Sequence, residues 1–251
     1  MGETFGAIVA NLLTRIATLW YSPLFRWLSD RTFIQARPTF CRVGRLASYD
    51  VMRARRVKDG LDMVRDYAIL LQLRRLREQK VPGDIAELGV YKGATAELIY
   101  RLSERQLHLF DTFTGFDARD GRHTGFSDCS LDALKQLCPL AHFYPGWFPE
   151  TAKALPNDMV FALVHIDMDL EKPIAAALAF FYPRVSPGGA IIVHDYNNPG
   201  SWDNGAKKAV DAFLADKPEM GVEIPDRFGS VVIVKAKRAS RNTQEYKSYD
   251  P

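Results

Sequence analysis

Five polar side chains follow one short apolar run. After Ala190-Ile-Ile-Val193 come His194, Asp195, Tyr196, Asn197 and Asn198, and a wholly apolar run of this length suits a buried strand of a parallel sheet. Open α/β sheets place their ligands beyond the carboxyl ends of such strands. A second run, Val160–Ile166, ends in Asp167, Met168 and Asp169. If the two strands are neighbours, Asp167 lies beside His194 and Asp195. Two carboxylates and an imidazole offer two chemistries. One is a divalent cation held by Asp167, Asp195 and one of His194 or Asn197, with the oxygens suiting Mg²⁺ and the imidazole shifting preference toward Mn²⁺ or another transition metal. The other is metal-free, with His194 as a general base oriented by an acid. Asp169 shares the face of Asp167 if the strand runs on, and diverges from it if the strand breaks.

A second group of residues suits a nucleoside. Glu87-Leu-Gly89-Val-Tyr91-Lys-Gly93-Ala-Thr95 joins a short apolar run to a helical pattern. Gly89 permits a sharp turn, Gly93 permits close helix contact, and backbone N–H groups at a helix start favour an anionic group. The spacing is neither Gly-x-Gly-x-x-Gly nor a Walker motif. Asp111, followed by Thr112 and Phe113, ends the next apolar run, where doubly wound folds set an acid against a ribose diol. Two carboxylate oxygens match two adjacent hydroxyls. Phe113 and Phe116 are placed to line a neighbouring ring, and Trp147 and Phe148 to pack an adenine or an apolar substrate face. The expected cofactor contacts are therefore Glu87, Gly89, Tyr91, Gly93, Thr95 and Asp111, with Thr112, Phe113, Trp147, Phe148 and Asp167.

The elements that must carry these residues alternate. Short strands are expected at Ile85–Leu88, Leu107–Phe110, Ala141–Tyr144, Val160–Ile166 and Ala190–Val193, with Pro187-Gly188-Gly189 leading into the fifth. Helices are expected at Ala94–Leu102, Leu131–Cys138, Glu150–Leu155, Glu171–Tyr182 and Ala206–Leu214. Val222–Ile224 and Ser230–Lys235 read as a final hairpin. The pattern predicts an α/β, Rossmann-like fold with a mainly parallel seven-stranded sheet and an antiparallel last strand. Ahead of it, Asp59–Gln79 is helical, with Leu61, Val64, Ala68, Leu71 and Leu76 giving the spacing. Residues 6–20 read as an amphipathic helix that serves as a cap, a dimer contact or a peripheral membrane anchor. The expected organisation is an N-terminal helical extension over 1–58, a core domain over 59–238 and a polar tail over 239–251.

Composition narrows the classes. The chain has 251 residues, 47% hydrophobic and 25% charged, with a formal net charge of +3. That is ordinary globular composition, and too little charge for a nucleic-acid binder. Cys41, Cys129 and Cys138 fit neither a disulfide framework nor a zinc site, which points to a reducing, cytoplasmic compartment. Ile8–Leu28 is interrupted by Asn11, Arg15, Ser22 and Arg26, short of the run of about 20 apolar residues that spans a bilayer. On residues alone, a nicotinamide-dependent oxidoreductase and a non-enzymatic nucleoside-binding protein are the competing readings. The missing Gly-x-Gly-x-x-Gly argues against the first.

Taken together, several stretches resemble class I S-adenosylmethionine-dependent methyltransferases of the macrocin O-methyltransferase (TylF/MycF-like) family. They are Ala86-Glu-Leu-Gly-Val-Tyr-Lys-Gly93, Phe110-Asp-Thr-Phe-Thr-Gly-Phe116, Gly146-Trp-Phe-Pro-Glu-Thr151, His165-Ile-Asp-Met-Asp-Leu170, Phe181-Tyr-Pro-Arg184, Pro187-Gly-Gly189, His194-Asp-Tyr-Asn197 and Gly205-Ala-Lys-Lys-Ala-Val-Asp211. The resemblance implies O-methylation of a sugar hydroxyl on a small molecule, S-adenosylmethionine as donor, Mg²⁺ beside the acceptor, and a homo-oligomer. It implies that Asp111 is the ribose acid and Asp167 a metal ligand and candidate base. The sequence departs from the family pattern twice. The fifth-strand tip is His194-Asp195 where the family's metal-dependent members have Asp-Asp, and Asp169-Leu170-Glu171 stands where Asp-Leu-Tyr is common.

Overall fold

A computed structural model describes residues 62–237 apart from 117, 121–124 and 199–201. The extension expected over 1–58 and the tail over 239–251 lie outside the described residues. Helix α1 (Met63–Glu78) is started by Asp62, whose carboxylate accepts from the backbone N–H of Val64 at 2.9 Å and of Arg65 at 3.3 Å. Such a cap satisfies donors that the first turn leaves without partners. The other oxygen of Asp62 accepts from the Arg227 N–H at 2.5 Å, tying the helix to a distant loop. The buried stripe of α1 differs from the expected one. Val64 and Leu71 are exposed, and Arg65, Ile69, Leu73 and Leu76 face inward. Both sets have helical spacing; Arg65 and Asp66 are buried with the second, and Arg65 finds partners inside.

The sheet follows from apolar runs. In chain order come β1 (Asp84–Leu88), α2 (Ala94–Leu102), β2 (Leu107–Asp111), α3 (Leu131–Leu137), β3 (His142–Pro145), β4 (Phe161–Ile166), α4 (Glu171–Phe181), β5 (Val185–Val193), α5 (Gly205–Leu214), β6 (Gly221–Ile224) and β7 (Ser230–Val234). The seven strands are ordered β3-β2-β1-β4-β5-β7-β6. β1 to β5 pair in parallel and β7 runs antiparallel to both β5 and β6, as expected. Every residue of β4 is buried, which is what helices on both faces of a parallel sheet impose.

Two corrections concern boundaries. β5 begins at Val185, so Pro187-Gly188-Gly189 lies within the strand rather than before it. The pairing skips there: Phe161 pairs with Val185 but Leu163 with Ala190, so β5 bulges. The expected helical segment at Glu150–Leu155 forms as a short 3₁₀ helix, Glu150–Ala154, one residue shorter than expected. The core has two layers. Ile69, Leu98, Ile99 and Leu134 pack on one face of the sheet, and Ile174, Leu178, Phe181 and Val210 on the other. Among the described residues no helix is long and apolar enough to cross a membrane.

Candidate active site

The order reversal between β1 and β4 opens a cavity of about 500 Å³ at the strand tips, a size typical of small-molecule sites. Its two sides are built differently. On the β1–β2 side, Gly89 has φ +82°, and a Cβ there would stand 1.9 Å from the Asp167 carbonyl oxygen. Only glycine lets the tip of β1 pass the tip of β4 so closely. Asp111 then organises the turn. One carboxylate oxygen accepts from the N–H groups of Val90 at 2.6 Å and Tyr91 at 2.9 Å, and the other from the Phe113 N–H at 2.8 Å. Both oxygens are thus engaged by backbone. The expected two-acceptor grip on a ribose diol does not fit this carboxylate, since roughly four acceptor positions are available and three are taken.

Glu87 and His165 are register partners in β1 and β4, and both are buried. His165 Nδ1 lies 3.4 Å from Glu87 Oε1, while Glu87 Oε2, at the cavity wall, has no hydrogen-bond partner among the described residues. Burial pushes the Glu87 carboxyl above the usual carboxylate range, against the pull of His165.

Tyr91, Thr95, Thr112, Trp147 and Phe148 line the cavity as expected, and so does Phe116. Two expected contacts do not. Phe113 turns into the core and packs near Phe143 (ring centroids 6.2 Å apart), because its φ of +55° swings the side chain away from the strand tip. Gly93 starts α2, where a Cβ would meet the Leu134 side chain at 2.4 Å; it serves helix packing rather than the cavity. Aromatic contacts shape the outer wall: Phe126 meets Tyr91 and Phe116 edge-on, and the Arg119 guanidinium lies 3.9 Å from the Trp147 ring.

The β4–β5 side is made of charge. Ile166 pairs with Val193, which sets Asp167 beside His194. Asp167, His194 and Asp195 bring one donor atom each to within 4.8 Å of one another. His194 Nδ1 lies 2.9 Å from Asp167 Oδ1 and 3.3 Å from Asp195 Oδ1. The other ring nitrogen, Nε2, is 2.8 Å from Nη1 of Arg65 on α1. A guanidinium only donates, so Nε2 accepts and the ring proton of neutral His194 is on Nδ1, aimed at the two carboxylates. Neither nitrogen then has a lone pair to offer a substrate proton, and the expected base duty of His194 does not fit.

Protonation follows from the same contacts. Burial works to raise the Asp167 carboxyl, but His194, His165 and Arg65 outweigh it and hold it well below the usual range. Burial pushes Asp195 up, with His194 opposing and Asp167 adding. The two carboxylates raise the affinity of His194 for its proton against burial and Arg65. β4 ends at Ile166 and Asp169 has φ +61°, yet its side chain returns to Asp195. Burial, together with the charges of Asp167 and Asp195, drives its carboxyl far above the usual carboxylate range.

Sequence reasoning missed Arg65 and gave Asp169 no role. Arg65 had a legible signal: it stands four residues before Ile69 on an otherwise apolar stripe, and a charge at such a position implies a buried partner.

Comparison with known proteins supports the same region. Residues 86–196 match the model of a family described as a methyltransferase domain. An 8-demethyl-8-(2,3-dimethoxy-alpha-L-rhamnosyl)-tetracenomycin-C 4'-O-methyltransferase from Streptomyces olivaceus is 28% identical over 141 residues, 46% of this chain and 54% of that protein. A mycinamicin III 3''-O-methyltransferase from Micromonospora griseorubida is 27% identical over 146 residues, 47% of this chain and 57% of that protein. The chain thus spans about half the length of the curated relatives it matches. Among solved structures, the O-methyltransferase NovP superposes with a TM-score of 0.58 at 23% identity, covering 69% of this chain and 80% of that one. The calicheamicin methyltransferase CalS11 superposes with a TM-score of 0.56 at 21% identity, covering 85% and 93%. These two share the fold.

Proposed function

Because the chain is related to O-methyltransferases that tailor natural products, we propose that it transfers a methyl group from S-adenosylmethionine to a hydroxyl of a sugar-containing small molecule. The observation that carries this reading is the coincidence of the matched stretch with the cavity walls: Glu87, Asp111, Asp167 and His194 all fall within residues 86–196 and all line one space. The cofactor fits on an independent ground. Glu87 Oε2 is a buried acceptor without a partner, and such a group calls for a donor; a cationic amine in the ligand answers it. Trp147 and Phe148 offer flat apolar surface to a base.

When bound, the cofactor supplies an electrophilic methyl: the acceptor oxygen bonds to its carbon as the carbon–sulfur bond breaks, the bonding pair stays on sulfur as S-adenosylhomocysteine, and the hydroxyl proton leaves to a base. Asp167 and Asp195 are the carboxylates at hand for that proton. Gly89 and Asp111 fix the turn that shapes the donor side, and the aromatic wall excludes water, so that positioning does much of the work.

The Mg²⁺ implied by the resemblance, or the Mn²⁺ that an imidazole ligand would favour, finds two carboxylates but not an imidazole lone pair. The donor atoms of Asp167, His194 and Asp195 converge within 4.8 Å, but convergence alone does not make a cation site. A cation on His194 needs the lone pair on Nδ1, and the Arg65 contact at Nε2 puts a proton there instead. The donor set as arranged does not fit a divalent ion.

Isothermal calorimetry with S-adenosylhomocysteine and, separately, NAD tests the reading. Binding of S-adenosylhomocysteine and methylation of a hydroxylated glycoside support it; binding of NAD in place of S-adenosylhomocysteine would overturn it in favour of hydride transfer.

A further inference from the structure

Arg65 stands 129 residues from His194 in sequence, yet their side chains meet at 2.8 Å in a buried contact. The guanidinium also reaches to 4.0 Å from Asp167 Oδ2. Around the ring the partners are of one kind on each side: a donor at Nε2, and two carboxylates at 2.9 and 3.3 Å from Nδ1. Phe228 packs edge-on to the ring at 5.9 Å, which restrains its rotation. Exchange of the ring proton from Nδ1 to Nε2 would set an N–H against the guanidinium and a lone pair against two anions.

We propose that Arg65 locks His194 as its Nδ1–H tautomer and so closes the Asp167–Asp195 site to divalent cations, the Nδ1–H taking the cation's place between the carboxylates. A directed N–H then does what an ion would otherwise do, holding two like charges at the methyl-acceptor rim. Arg65 is a positioning residue in this account: it acts on the rim through the ring. Only the catalytic consequence rests on the methyltransferase reading; the lock itself is a property of this chain with or without a substrate.

The test uses the full chain labelled with ¹⁵N-histidine, saturated with S-adenosylhomocysteine and titrated with Mn²⁺. Long-range ¹H–¹⁵N correlation reports which ring nitrogen bears the proton, and the paramagnetic signal of free Mn²⁺ reports binding. At a pH above its raised pKa, the wild type is expected to show His194 neutral with its proton on Nδ1, and to leave Mn²⁺ free at millimolar concentration. Arg65→Met releases Nε2, and His194→Asp restores a carboxylate pair; each is expected to bind Mn²⁺ about 10- to 100-fold more tightly than wild type, the scale of a second-layer effect on metal affinity. Retained binding of S-adenosylhomocysteine certifies that a variant is folded. Mn²⁺ that broadens the His194 resonances of the wild type, or a proton found on Nε2, overturns the proposal. So does an Arg65→Met protein that keeps the Nδ1 proton and still leaves Mn²⁺ free, because Arg65 is then not the lock. Failure of the wild type to bind S-adenosylhomocysteine overturns the methyltransferase reading and leaves the tautomer measurement standing.

Discussion

The two sides of the cavity reach the same end by opposite means. The β1–β2 side is neutral engineering of the backbone: a glycine that admits a neighbouring strand, and one carboxylate that gathers three N–H groups. The β4–β5 side packs an arginine, a histidine and three carboxyls into mostly buried space, and relies on their mutual charges to stay there. The first side holds its shape through backbone donors gathered on one carboxylate. The second holds a shape only while each proton is in its place. A binding surface that must be permanent and a reactive surface that must exchange a proton call for these different constructions.

Substitutions can break that contrast. The largest effect is expected at Asp167. Asp167→Asn removes the anion that accepts from His194 Nδ1, and turnover is expected to fall about 10²- to 10⁴-fold while calorimetric binding of S-adenosylhomocysteine is retained. Loss of both together would mean that the two sides are one unit. Gly89→Ala tests the opposite case. Its positive φ alone costs about 1–3 kcal/mol, and the new Cβ collides with the Asp167 carbonyl, so urea denaturation should show lost stability and calorimetry lost cofactor binding. Asp111→Ala strands three backbone donors. It is expected to cost about 1–3 kcal/mol and to weaken cofactor binding without changing the identity of the base, which a pH–rate profile checks.

The smallest effect lies beneath the neutral side. His108 in β2 is buried, with its ring nitrogens 2.9 Å from the Tyr144 hydroxyl and 3.0 Å from Asp84 Oδ2. Burial, only partly offset by Asp84, lowers its pKa from the ordinary 6.5. The unfolded chain therefore takes up this proton more readily than the folded one. The contribution is neutral above pH 6.5 and turns destabilising as pH falls below it. Thermal denaturation between pH 7.5 and about 5.5 should show the loss, and His108→Gln should flatten it.

Most of the sheet was legible because parallel strands buried on both faces must be apolar throughout. Phe161–Ile166 and the run up to Val193 left little choice, and the polar residues after them marked the site. Their neighbouring positions then brought Asp167 to His194. What stayed hidden depended on distance in sequence or on side-chain direction. Phe113 follows the strand tip and has the right chemistry, but its backbone turns it inward. Asp111 was legible as an acid at a strand end, while the N–H groups that occupy it come from the preceding turn. On α1 two apolar stripes competed, and only the site itself decides between them. The role of Asp169 needed the break in β4, which periodicity does not specify.

Asp62 caps the helix that delivers Arg65 and, with its other oxygen, accepts from Arg227, whose neighbour Phe228 closes on His194. The ring is thus gripped by the first and by nearly the last described elements. During synthesis the glycine turn and the Asp111 cradle have all their parts once residue 113 has emerged, but the histidine at the rim waits for residue 228. The contacts around His194 thus join segments that emerge far apart during synthesis, whereas those of Asp111 are local.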